Sequence, residues 1–149
     1  MTDIGFYHLT RSPLDEALPR LLEKAYAAGH RVVVRGGDPE RIELLNRALW
    51  TYGKDSFLPH GARSDGFAED QPIYLTAQVE NPNGATILIR VDEAEAPDLD
   101  AFDRCLDLFD GHDEEAVGRA RERWRQGRDA GHVCTYWQQG ERGGWVKAG

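Results

Sequence analysis

The residue types best suited to chemistry in this sequence are concentrated in GRARERWRQGR, residues 118–128. Five arginines (Arg119, Arg121, Arg123, Arg125 and Arg128) surround Trp124, and no lysine stands among them. A guanidinium forks a carboxylate or phosphate in bidentate fashion and stacks on aromatic rings, whereas an ammonium acts as a point charge. Residues 119–128 hold those five arginines and one glutamate, a net of +4 in a chain of formal net charge −8, so the remainder carries −12. The plain explanation of such a row is a solvated helix face balanced by Glu114, Glu115, Glu122 and Asp129. Against it stand the exclusive use of arginine and the adjoining indole, a pairing enriched at binding hot spots. At helical spacing Val117, Arg121, Trp124, Arg125 and Arg128 share one stripe about 100° wide. Arg119 and Arg123 lie on the other flank of an apolar side made by Ala116, Ala120 and Trp124. An anionic peptide with an apolar anchor is the ligand these groups complement best. The competing reading is direct single-stranded nucleic-acid binding, with Trp124 stacking on bases and the arginines holding phosphates.

A second stretch draws notice for its lack of pattern. Residues 52–71 carry no periodicity between a helix and a strand, and loops of that length in compact domains are often functional. Within it Ser56-Phe57-Leu58-Pro59-His60-Gly61 sets apolar side chains among turn formers, just after Trp50 at the rim of a helical stripe. Two readings stand level: Phe57 and Leu58 tucked into a satellite core, or an exposed apolar patch for a partner.

Other candidates yield to simpler explanations. Gly36-Gly-Asp-Pro-Glu-Arg41 follows a strand and opens a helix, where nucleotide folds bind phosphate. It has neither GxGxxG spacing nor a Lys-Ser/Thr pair, and Asp38 and Glu40 would repel phosphate, so it reads as a turn with an Asp cap. Gly111-His-Asp-Glu-Glu115 reads as acidic residues complementing a helix N-terminus rather than a metal site. No nucleophile elbow, HExxH or paired-carboxylate motif is present, and His8, His30, His60 and His132 are scattered. The expectation is a non-catalytic protein with no metal and no cofactor.

The elements that must carry these residues follow from periodicity. Ile4–Leu9 reads as a strand. Ser12 and Pro13 read as the cap and first turn of a helix with Leu14, Leu18, Leu21, Leu22 and Ala25 on one stripe, ended by Gly29. Pro19 must mark a kink or the true first turn. Arg31–Arg35 reads as a strand buried on both faces, and Asp38-Pro39 caps a helix bearing Ile42, Leu45 and Leu49. Strand, helix, strand, helix with short connections implies parallel pairing through a right-handed crossover. Ile73–Ala77 and Ala85–Arg90 read as strands separated by Asn81-Pro-Asn-Gly84. Residues 99–109 fit either a helix or a short helix followed by a strand. Asp113 caps a helix running to about Gly131, and His132–Gln138 reads as the final strand. The expected fold is one α/β domain over residues 1–149: three layers, a mostly parallel twisted sheet with helices on both faces, and a nucleotide-binding-like plan without a phosphate loop.

Bulk properties agree. At 149 residues the chain suits one domain. It has no apolar run of the roughly 20 residues a membrane helix needs, and its N-terminus lacks a secretory signal pattern. Cys105 and Cys134 make neither a disulfide framework nor a zinc motif, which leaves a reduced cytoplasmic location as the expectation. The excess of acids argues against sequence-independent DNA binding over the whole surface.

Taken in order, Phe6-Tyr-His-Leu9, Ala48-Leu-Trp50, Ser56-Phe-Leu-Pro-His60, Pro72-Ile73, Leu88-Ile89, Phe109-Asp110, Ala120-Arg-Glu-Arg-Trp124 and Tyr136-Trp137 resemble the chi subunits of bacterial DNA polymerase III holoenzyme. The resemblance implies a non-catalytic clamp-loader accessory subunit that binds the acidic C-terminal tail of single-stranded DNA-binding protein. By position, Arg121, Trp124 and Arg125 match the family's residues for that tail, while Val117 and Arg128 are added by helix geometry. The resemblance also implies a second surface for the psi subunit, or an equivalent clamp-loader component, at Trp50, Phe57, Leu58, Pro59 and His60. DNA would be met mainly indirectly, and no membrane is implied. The glycine-rich end, Gly140–Gly149, departs from the better-known members.

Overall fold

Val32–Arg35 (β2) is buried along its whole length, as expected of a β-branched run inside a parallel sheet covered on both sides. The computed structural model describes residues 2–52, 58–141 and 144–148. Around β2 stand β1 (Asp3–Leu9), β3 (His60–Ala62), β4 (Ile73–Thr76), β5 (Ile87–Arg90), β6 (Arg104–Asp110), β7 (Val133–Gln139) and β8 (Trp145–Lys147), with helices α1 (Leu14–Ala27), α2 (Pro39–Thr51) and α3 (Glu114–Asp129). The strands form one sheet in the order β3-β4-β2-β5-β6-β1-β7-β8. Among the described residues all pairs are parallel except β7 with β8.

The two faces separate by the period of the strand. Val32 and Val34 point into a core with Leu18, Leu21 and Leu22 of α1 and Ile42, Leu45 and Leu49 of α2. Val33 points the other way, into a core with Ile4, Phe6, Leu88, Cys105, Phe109 and Ala120 of α3. This is the expected three-layer plan, with α1 and α2 on one face and α3 on the other. Among the described residues no helix is long and apolar enough to cross a membrane.

Several expectations are corrected. Ser12 does not cap α1: the N-cap is Pro13, which makes no side-chain bond, and the Ser12 hydroxyl instead accepts from Gln139. Pro19 is not a first turn but lies buried inside α1, leaving the Asp15 carbonyl without its usual intrahelical donor. β1 and β2 run parallel but are not neighbours; β5 and β6 lie between them. Residues 99–109 take the second of their two readings, a 3-10 turn at Leu99–Ala101 followed by β6. The supposedly patternless loop holds the three-residue edge strand β3 and 3-10 turns at Arg63–Asp65 and Ala68–Asp70. β7 is not the last strand, because β8 folds back on it. β3 and β8 have three residues each, too short for a period-two pattern to emerge.

Helix α3 begins as read: the Asp113 carboxylate accepts from the Glu115 and Ala116 amides. It lies close to the sheet because Ala116, Ala120 and Gly127 are its buried residues. A Cβ on Gly127 would stand 3.0 Å from Cys134 Sγ and 3.2 Å from Ile4 Cδ1. A Cβ on Gly118, in the same helix, would meet nothing within 4 Å. Two substitutions should therefore diverge. Gly118→Ala gains helix propensity without a clash and should stabilise by about 0.5–1 kcal/mol. Gly127→Leu overpacks the gap beneath the helix and should destabilise by about 1–3 kcal/mol. Urea denaturation of both variants checks the contrast.

Candidate anion-binding surface on helix 3

The rotation of α3 about its axis is set by one arginine. Arg123 points inward across the sheet face and meets Asp107 of β6 in a two-pronged pair, Nε to Oδ2 at 2.7 Å and Nη2 to Oδ1 at 2.9 Å. Asp107 is fully buried. The third nitrogen of Arg123, Nη1, reaches Glu93 Oε1 at 3.0 Å, and Arg119 Nε shares the same oxygen. Burial works against the charge of Arg123, but the bonds to Asp107 and Glu93 outweigh it and hold its pKa above the ordinary value. Arg119 and Arg123 are thus neutralised within the fold.

With Arg123 turned in, the other three arginines are turned out. Arg121, Arg125 and Arg128, together with Trp124 and Asp129, line one open cavity of about 510 Å³. Among the described residues Arg125 has only a loose pairing one turn back, with Glu122 at 3.6 Å on the exposed surface, an arrangement that contributes little. Among the described residues Arg121 and Arg128 make no ion pair. Trp124 is neither sealed nor free-standing. Its ring lies 5.6 Å from Phe6 and 6.1 Å edge-on to Tyr136, and the indole stays partly exposed. Tyr136 in turn hydrogen-bonds His8 Nδ1 at 2.5 Å. Burial raises the pKa of its hydroxyl, with Arg121 nearby pulling the other way.

Of the five residues expected here, four line the cavity. Val117 is half-buried against the second core and does not line it. Sequence reasoning missed Phe6 and Tyr136 as the seat of the indole, and counted Asp129 as a balancing charge although it sits on the cavity wall. It also missed Asp107. A readable signal existed, because a lone carboxylate stands in register with Cys105 and Phe109 on the inward face of an otherwise apolar strand.

The second expected surface is more divided. Trp50 is 52% exposed and lies 4.3 Å, ring to ring, from His60. Leu58 and His60 are both buried, Leu58 in the first core. His60 bonds the Leu58 carbonyl through Nδ1 and the Asn46 carbonyl through Nε2. Pro59 is half-buried, and Phe57 lies outside the described residues. The level choice for Leu58 therefore resolves toward the core, and Trp50 offers the exposed apolar surface. Asp38 Oδ1 accepts from the Arg41 amide, so the Gly36-Gly37 segment is a capped turn as read. Among the described residues no group of three or more His, Cys, Asp or Glu could hold a metal ion.

Comparison with known proteins adds context to this geometry. The family model described as DNA polymerase III chi subunit, HolC, matches residues 1–135. The chain is 37% identical over 89 residues to the probable DNA polymerase III subunit chi of Rickettsia prowazekii (strain Madrid E), covering 60% of this chain and 54% of that protein. It is 26% identical over 121 residues to the DNA polymerase III subunit chi of Escherichia coli (strain K12), covering 80% of this chain and 82% of that protein. The matched stretch thus spans about half the length of the Rickettsia relative.

The network behind the cavity sets two expectations. Arg123→Ala leaves Asp107 buried without its main partner and should cost about 3–5 kcal/mol in a denaturation experiment. The Arg119 hydrogen bond, with both guanidinium charges, holds the Glu93 carboxyl below its ordinary 4.5. A lowered folded-state pKa contributes stability above the unfolded value and loses it as pH falls through the folded value. Stability should therefore decline below about pH 4.5, and Glu93→Gln should decline less steeply over that window in urea melts.

Proposed function

The chain belongs to the DNA polymerase III chi subunit family, and on that premise we propose that it is a connector that grips the acidic C-terminal tail of single-stranded DNA-binding protein through α3. It thereby couples the clamp loader to coated template. The observation that carries this reading is the division among the five arginines. Arg119 and Arg123 are neutralised by internal carboxylates, while Arg121, Arg125 and Arg128 converge on one cavity beside an accessible indole. A tail ending in acidic residues and a phenylalanine complements that cavity. Its carboxylates pair with the outward guanidiniums, and its ring packs against Trp124 where Phe6 and Tyr136 hold the indole still. Part of the attraction is screened charge, so affinity falls as salt rises.

The chain's contribution is positioning rather than bond-making, and its working location is the cytoplasm with the replication machinery. The second contact is with the psi subunit or an equivalent clamp-loader component. Trp50 supplies the exposed indole there, with its ring against the buried His60.

Calorimetric titration with a synthetic peptide ending Asp-Asp-Ile-Pro-Phe tests the reading. Arg121→Ala and Trp124→Ala should each weaken binding by about tenfold or more, consistent with about 1.4 kcal/mol or more per hot-spot residue. Arg119→Ala should leave it within about twofold, because that guanidinium faces Glu93. Removing the peptide's last phenylalanine should abolish binding. Equal affinity for the parent and both cavity variants would remove the assigned pocket.

A further inference from the structure

At the carboxyl end of β1 the chain turns through Thr10, Arg11 and Ser12 before entering α1. Their three successive backbone N–H groups donate to one atom, Gln139 Oε1, at 2.9, 2.7 and 3.2 Å. The same side chain donates through Nε2 to the Ser12 hydroxyl. This clamp joins the end of β7 to the start of α1. Beyond it, Trp145 of β8 packs edge-on against Tyr7 with ring centres 4.9 Å apart. Between α1 and these C-terminal strands lies an open cleft of about 400 Å³ lined by Arg11, Arg20, Lys24, Gln139, Glu141 and Trp145, among others.

The electrostatics of this cleft oppose those of the whole chain. Three cations share it with one carboxylate, whereas the formal net charge of the protein is −8. Among the described residues Arg11, Arg20 and Lys24 form no ion pair. Like charges gathered in one concavity repel until an anion joins them. The cleft is separate from the α3 cavity. It lies on the α1 face of the sheet and at the end of β7, while α3 covers the other face and leads into the start of that strand. The described C-terminal lining residues, Gln139, Gly140, Glu141, Gly144 and Trp145, also lie beyond the family match, which stops at residue 135.

We infer that this cleft binds the phosphodiester backbone of single-stranded DNA, with Arg11, Arg20 and Lys24 neutralising phosphates and Trp145 offering its indole to a base. Arg20 and Lys24 are four residues apart on α1, about 6 Å along the helix axis, near the separation of successive phosphates in an extended strand. Lysine suits phosphate as a point charge, and an aromatic ring beside a basic groove is how strands are held without reading sequence. A subunit of a DNA polymerase meets such strands at work. The contact adds a direct hold on DNA to the tail-mediated one and does not depend on it.

Fluorescence anisotropy with a labelled oligodeoxythymidylate and the full chain, at low salt, tests the assignment. The parent should bind, and Arg20→Glu/Lys24→Glu should weaken binding by at least about tenfold and flatten its salt dependence, since two phosphate contacts are lost. Trp145→Ala should weaken binding without changing the salt slope. The acidic tail peptide should bind the double variant as it binds the parent, which separates this cleft from the α3 cavity. The proposal is overturned if the parent does not bind the oligonucleotide, or if charge reversal leaves binding unchanged. It is equally overturned if only Arg121→Glu abolishes binding, or if the cleft takes the acidic peptide instead. Thermal melts of each variant confirm that the fold is retained.

Discussion

Much of the molecule's surface chemistry depends on the buried carboxylate of Asp107 and the guanidinium that reaches it. A charge taken out of water in the interior is costly unless it is paired and fully hydrogen-bonded. Arg123 meets that demand with two short bonds and gives its third nitrogen to Glu93. Because Arg123 is locked, α3 has one rotational setting against the sheet. Every outward residue on the helix then follows from its angular offset to Arg123. The pair acts as a register pin, and the exposed row of cations is its consequence.

Small residues complete what the ion pair begins. Ala116, Ala120 and Gly127 let α3 approach the sheet closely, and that approach seats Trp124 against Phe6 and Tyr136. An indole held between two rings has little rotamer freedom left to lose. The three arginines around it stand exposed at the surface. The cavity thus sets a ring-packed indole beside exposed charge. At the other end of β7, the Gln139 clamp ties the C-terminal strands to α1 by a comparable economy, one amide oxygen accepting three backbone donors.

Much of this was legible in the residue order. The stripes Leu14-Leu18-Leu21-Leu22 and Ile42-Leu45-Leu49, the caps Asp38 and Asp113, and the doubly buried Val32–Val34 mark their elements, because period and capping are local properties. The 3.6-residue spacing put Arg121, Trp124, Arg125 and Arg128 on one stripe, together with Val117, which does not line the cavity. β3 and β8 were not legible, since three-residue edge strands gain their stability from a neighbour rather than from pattern. The fate of Leu58 and His60 was equally hidden, because a turn-rich segment does not show whether it folds onto a core.

From its sequence alone, this protein's class, its layers and the gathering of arginine around one tryptophan can be derived, since these rest on local periodicity and on composition. Which arginines remain available was decided only in three dimensions. Glu93 and Asp107 lie 30 and 16 residues from Arg123 in the chain, and no local rule pairs them. The order of strands was likewise decided there: β5 and β6 insert between β1 and β2. Non-local pairing depends on which surfaces are left to bury once the helices have packed, and that is a property of the assembled sheet.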